Sequence, residues 1–194
     1  MDHVTHGNII SYPFVKIYTF MKKSYFFALI FQQKRVLKSG IFYGIIRYKE
    51  EMNMLKGVPK IISPELLKIL SEMGHGDEIV IADGNFPSEN YGNRVVRADG
   101  HGGAEILDAV LSMIPLDTYA DCNFMLMQVV PGDRVKPTIW EDYKKIANEK
   151  DGHVKLGSLE RFAFYERAKQ GYAVIATGES AIYANIILKK GVIQ

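Results

Sequence analysis

The sequence predicts an α/β fold, and three observations predict it. Short apolar runs of strand length, residues 79–82 and 123–130 among them, alternate with segments whose apolar residues recur at helical spacing. The runs are near-continuous rather than alternating, as expected of strands covered on both faces. No internal repeat or low-complexity linker interrupts the alternation after residue 54, so one domain is expected over 54–194.

Each element has a local cause. Ser63 is a good N-cap and Pro64 a good first helical residue. Leu66, Leu67, Leu70 and Met73 then form one helical face, and Gly74 is the residue expected past its end. Both Gly74 and Gly76 are able to take positive φ. Residues 79–82 read as a buried strand and 94–98 as a second. A helix over 103–114 presents Ile106, Leu107, Val110, Leu111 and Ile114, and Pro115 closes it. The run 123–130 is the next strand. Thr138 and Glu141 form a capping-box pattern opening a helix whose buried face is Ile139, Tyr143, Ile146 and Ala147. Ser158 is placed to cap a helix through 161–168. Strands over 172–176 and 183–189 flank the turn Thr177-Gly178-Glu179.

Composition bounds the function. A net charge of +2 gives no general attraction to nucleic acid. The single cysteine, Cys122, excludes an intrachain disulfide, reads as a buried structural thiol and fits a reducing, cytoplasmic compartment. Eight of the 24 basic residues and three of the 22 acidic ones fall within 1–53, making that part net +5 and the remainder net −3. The first part is rich in Ile, Phe, Tyr and Lys. Its longest apolar run, 25–31, is far short of the ~20 residues of a spanning helix, and Lys16, Lys22 and Lys23 interrupt it. It also lacks a signal-peptide cleavage pattern. Such composition is what AT-rich non-coding DNA yields on translation. Lys49-Glu50-Glu51, shortly before Met52 and Met54, is encodable by a purine run like a ribosome-binding site. Residues 1–53 are therefore expected to be an artefactual upstream extension or a poorly packed segment, with a genuine amphipathic extension as the alternative.

The residues that carry chemistry lie around Gly74-His75-Gly76 and Asp83. An imidazole exchanges protons near neutral pH, and Asp83 follows His75 by eight positions, just past a strand. Ligands in open α/β sheets favour that carboxyl edge. The pair is compatible with acid–base chemistry but names no substrate. Asp99-Gly100-His101-Gly102-Gly103-Ala104 lacks the further glycine of a dinucleotide fingerprint and reads as the turn that starts a helix. His75, Asp77, Asp83 and His101 match no metal-ligand spacing, so neither metal nor cofactor is expected.

Six blocks together carry a resemblance. They are Met73-Gly74-His75-Gly76-Asp77-Glu78, Ala82-Asp83-Gly84-Asn85-Phe86-Pro87, Arg97-Ala98-Asp99-Gly100, Pro115-Leu116-Asp117-Thr118-Tyr119, the helix from Arg161-Phe162-Ala163-Phe164-Tyr165-Glu166-Arg167-Ala168, and Thr177-Gly178-Glu179 with Tyr183-Ala184-Asn185 through Val192. In order, they resemble the ribose pyranase/fucose mutarotase (RbsD/FucU) family, over Met54 to the C-terminus. The resemblance implies a single-domain RbsD-like α/β fold with a central sheet flanked by helices. It implies an isomerase that interconverts the anomers of a free sugar without cofactor. His75 would be catalytic as proton donor. Asp83, Arg161, Tyr183, Ala184 and Asn185 would bind the monosaccharide, and Phe162, Phe164 or Tyr165 would face a sugar methyl or pack in the core. The Arg-Phe-Ala-Phe-Tyr-Glu-Arg helix favours L-fucose; Tyr-Ala-Asn is more ribose-like. A D-ribose pyranase and a non-catalytic monosaccharide-binding protein are the alternatives. The resemblance also implies a homo-oligomeric ring, commonly a decamer, with sites near subunit boundaries and no nucleic-acid or membrane partner.

Overall fold

The computed structural model describes residues 55–193. The expected N-terminal extension, 1–53, lies outside them. Helix α1 (Pro64–Glu72) starts as predicted: the Leu66 amide donates to Ser63 Oγ at 3.1 Å, and Pro64 needs no such partner. Its buried face is Leu66, Ile69 and Leu70. Beyond it the left-handed residue is Gly76, at φ 87°, whereas Gly74 is held by its amide donating to Asp77 Oδ2 at 2.7 Å. Strand β1 (Glu78–Ala82) is buried throughout. A one-turn helix, α2 (Ser88–Tyr91), then leads to β2 (Val95–Ala98). Four residues are too few to show a helical period, so α2 was invisible in the sequence.

Helix α3 (Gly103–Leu111) has no side-chain cap on Gly102; the Gly103 amide instead donates to Glu179 Oε2 at 3.1 Å. Strand β3 (Phe124–Met127) is shorter than predicted and fully buried. Helix α4 (Ile139–Lys150) does not use the predicted capping box. Thr138 is already helical, at φ −66° and ψ −26°, because a turn begins one residue earlier with the Trp140 amide donating to the Pro137 carbonyl at 3.4 Å. A cap side chain reaches back only from extended backbone. Strand β4 (Leu156–Leu159) was not predicted, and Ser158 lies within it, accepting from Gln128 Nε2 at 2.9 Å. The cap of α5 (Arg161–Gln170) is Glu160, whose carboxylate accepts from the amides of Phe162 and Ala163 at 2.8 and 3.2 Å. Strands β5 (Ala173–Thr177) and β6 (Ile186–Lys189) complete the chain. The expected strand over 183–189 begins three residues late.

One six-stranded sheet results, in the order β2-β5-β1-β6-β3-β4. The β1–β5, β2–β5 and β3–β4 pairs are parallel, and β6 runs antiparallel to both β1 and β3. Successive strand residues point to opposite faces. Ile79 and Ile81 accordingly join a core with α1, α3 and α4, while Val80 and Ala82 join a second core with Phe86 and, from α5, Phe164 and Ala168. This is the α/β fold expected, a central sheet flanked by helices. Because β6 opposes β1, its first residues lie beside the last residues of β1, and its last residues lie beside the first.

Candidate active site

At the leading end of β1 sits His75. Its turn is tied to the far end of β6: the Gly76 amide donates to the Lys190 carbonyl at 2.9 Å, and the Lys190 amide to the Asp77 carbonyl at 2.8 Å. His75 Nε2 lies 3.2 Å from Asp117 Oδ1; the Asp117 side chain is 5% exposed and that of His75 49%. The Tyr119 amide, donating at 2.9 Å, and then the His75 contact hold the Asp117 carboxyl below the usual carboxylate range. An ionised carboxylate only accepts, so Nε2 carries the hydrogen of this contact. The exposed Tyr119 ring stands edge-on to the imidazole at 5.8 Å. The Pro115–Tyr119 block was recognised in the sequence, but nothing there assigned Asp117 this partnership.

At the trailing end of β1, Asp83 is buried and its carboxylate is densely bonded. It accepts from the Asn185 amide group at 2.7 Å and from the backbone amides of Asn85 and Ala184 at 3.0 and 3.3 Å. The Asp83 amide donates back to Asn185 Oδ1 at 2.9 Å. Burial pushes the Asp83 carboxyl above its ordinary range, opposed by these hydrogen bonds. Thr177 Oγ1 donates to the Ala82 carbonyl at 2.7 Å and steadies the strand end from β5.

The segment before β6 is bent into place. Tyr183 has φ 61°. Its carbonyl accepts from Trp140 Nε1 at 2.7 Å and its hydroxyl donates to Asp133 Oδ2 at 2.7 Å. The Ala184 carbonyl accepts from the Tyr143 hydroxyl at 3.0 Å. Tyr143 is fully buried, which pushes its phenol well above the ordinary range, and its hydroxyl lies where a Cβ on Gly103 would stand.

Arg161 opens α5 beside this segment. Its guanidinium stacks on the Phe162 ring at 4.6 Å, and among the described residues its Nε is the buried side-chain nitrogen without a hydrogen-bond partner. Asp83, Arg161, Tyr183 and Asn185 line one cleft of about 220 Å³, with Asp133 and Tyr165. Drug-sized ligand sites run larger, from ~300 Å³, so this cleft suits one small polar ring. Ala184 is fully buried and contributes its backbone rather than surface. His75 does not line the cleft. Five strand residues separate the two ends of β1, roughly 16 Å at ~3.3 Å each.

A model of the RbsD / FucU transport protein family matches residues 56–193. The chain belongs to this family. Among its relatives is the fucose mutarotase of Bos taurus, 51% identical over 73% of this chain and 96% of the relative. The crystal structure of FucU from Bifidobacterium longum superposes with a TM-score of 0.70 at 62% identity, covering 72% of this chain and 100% of that one. The fucose mutarotase of Streptococcus pneumoniae in complex with L-fucose superposes with a TM-score of 0.68 at 50% identity, over the same shares.

In this member of the RbsD / FucU family, four of the five expected binding residues converge on one cleft, and the expected catalytic histidine lies at the opposite sheet edge. Of the three aromatics weighed for a sugar methyl, Phe164 is fully buried core, Phe162 is 60% exposed beneath Arg161, and Tyr165 lines the cleft. Tyr165 packs on Phe86 at 5.3 Å and Tyr91 at 4.8 Å, giving the cleft an aromatic wall. Cys122 is half-buried rather than buried. Of the four residues weighed as metal ligands, His101 pairs with Glu105 at 3.3 Å, and among the described residues no three His, Cys, Asp or Glu side chains converge. No helix among them is long and apolar enough to cross a membrane.

Proposed function

We propose that this chain is an L-fucose mutarotase, an isomerase that interconverts the α- and β-anomers of the free sugar. The observation that carries the reading is the meeting of Arg161, Tyr183 and the ordered Asp83–Asn185 pair in one cleft sized for a single sugar ring. Sugar hydroxyls supply acceptors to Arg161 and donors to Asp83, and Tyr183 and Asn185 complete the orientation. Relatives of about half identity that are named fucose mutarotases support the choice of sugar.

Mutarotation needs two proton movements and one rotation. The anomeric hydroxyl loses its proton as the C1=O1 double bond forms. The ring oxygen gains a proton as the C1–O5 bond breaks. Rotation about C1–C2 presents the other carbonyl face, and reversal of both transfers closes the ring as the other anomer. Electrons, phosphate and metal do not enter this balance. His75 is the proton donor, with Asp117 holding the imidazole in place.

His75 and the cleft occupy opposite ends of β1, so a complete site requires a second copy. We assign the chain to a head-to-tail ring, of decameric size as the resemblance implies, in which His75 of one copy faces the cleft of the next. A heterologous interface whose rotation closes gives a ring. Exposed Tyr119 beside His75, and exposed Phe162 and Ile182 at the other end, supply apolar surface for that contact. The single cysteine suits a reducing cytoplasm.

Saturation-transfer NMR tests the reading. Catalytic amounts of the chain are expected to speed exchange between the anomeric signals of L-fucose, more than in the same experiment on D-ribose. Sugar binding with no acceleration would leave only a sugar-binding protein and overturn the enzyme reading.

A further inference from the structure

Tyr183 is the non-glycine position with positive φ among the described residues. An aromatic side chain disfavours that backbone, which persists only where its surroundings hold it. The hold on its backbone comes from outside the cleft. Trp140, on the first turn of α4, donates its indole N–H to the Tyr183 carbonyl at 2.7 Å. Three residues on, one helical turn later, Tyr143 donates to the Ala184 carbonyl at 3.0 Å. The Trp140 ring is half-buried and faces a separate groove with Leu126, Lys144 and Leu156, so it has no direct access to the sugar. The phenol thus positioned lines the cleft and donates to Asp133 at 2.7 Å.

We propose that Trp140 is a positioning residue of the sugar site. Its indole N–H fixes the left-handed turn at Tyr183 that aims the phenol into the cleft. As the chain's single tryptophan, it also reports occupancy of that cleft through its fluorescence. The proposal rests on the cleft being the fucose site. Other polar contacts fix the Asp83–Asn185 pair, so loss of this indole N–H is expected to disturb Tyr183 selectively.

The test is an L-fucose titration of the full chain, followed by tryptophan emission and by calorimetry. Wild type, Trp140→Phe, Tyr183→Ala and the double variant are compared. In wild type the emission change is expected to saturate with the calorimetric Kd. Trp140→Phe keeps the aromatic bulk and loses the donor, so fucose affinity is expected to fall roughly three- to tenfold, the worth of one neutral hydrogen bond. Added to Tyr183→Ala, the same substitution is expected to cost almost nothing further, because a residue acting through another shows non-additive effects. Unchanged affinity in Trp140→Phe would overturn the proposal, as would independent, additive losses in the double variant, the mark of a merely structural role. The emission titration needs no variant to fold, and flat emission across a calorimetrically saturating titration would also overturn it. Absence of calorimetric fucose binding to wild type would remove the sugar-site reading and this proposal with it; fucose binding with any of the other negative results removes the role of Trp140 alone.

Discussion

Mixed rings of two inactive variants offer a quantitative test of how the site is divided. The perturbation is His75→Ala in one copy and Arg161→Ala in another, coexpressed with different tags and purified through both. Alone, His75→Ala is expected to lower anomer exchange roughly 10²–10⁴-fold, the usual worth of a positioned acid or base. Alone, Arg161→Ala loses hydrogen bonds from a charged group, worth about 1.5–3 kcal/mol, and is expected to weaken fucose binding roughly ten- to hundredfold. The proposal places the two groups of one copy at opposite ends of β1, roughly 16 Å of strand apart. On the proposed head-to-tail ring, each site draws His75 from one neighbour and Arg161 from the other. In a randomly mixed head-to-tail ring about one site in four receives both intact groups. Saturation-transfer NMR at low fucose, normalised to total chain, should therefore show about a quarter of wild-type exchange. Exchange no higher than the mean of the two parent variants would refute the shared site. Success in a non-assembling monomer would refute it equally.

Asp83→Ala is expected to weaken fucose binding at least roughly tenfold by calorimetry. Because burial raises the Asp83 carboxyl above its ordinary range, wild-type affinity should fall as pH drops through that raised value, from a higher pH than a free carboxylate would dictate; an affinity flat across the acid range would count against it as an acceptor. Asp117 has the opposite sign. Its folded-state value is lowered, so the stability it contributes is full above the ordinary carboxylate value of about 3.9 and is lost as pH falls through the lowered one. Asp117→Asn should slow exchange roughly ten- to hundredfold, and its urea midpoint should differ from wild type at neutral pH and converge with it in acid. Exhaustive chelation is expected to leave the exchange rate unchanged; loss restored by a divalent cation would bring metal chemistry in. A chain starting at Met54 retains the whole 56–193 match. It is expected to fold, assemble and exchange anomers fully, and slower exchange would give residues 1–53 a role.

Local chemistry made much of this fold readable. Ser63, Pro64 and the leucine spacing set α1, and unbroken apolar runs set β1 and β3. What stayed hidden depends on contacts between distant residues. Leu156–Leu159 carries Gly and Ser at its centre and becomes a strand only by pairing with β3. Tyr-Ala-Asn looks like the start of a strand, yet Trp140 and Asp133, 43 and 50 residues away, bend it into a loop. The candidate site residues were named through the resemblance, and their placement at opposite ends of β1 was not. His75 and Asp83 are eight positions apart, a separation that spans two helical turns but, through an extended strand, carries them to opposite edges. Asp117 meets His75 across 42 residues, beyond the reach of any local pattern.

The antiparallel pairing of β1 with β6 has an evolutionary consequence. Both half-sites hang on one short ladder: His75 and Lys190 at one end, Asp83 and Asn185 at the other. A single inserted or deleted residue within Glu78–Ala82 or Ile186–Lys189 would turn every following side chain to the other face. It would exchange the two cores and spoil both ends together. Loops at the rim are free to change length, but these two strands must keep theirs, so the spacing between His75 and Asp83 is inherited as a fixed length.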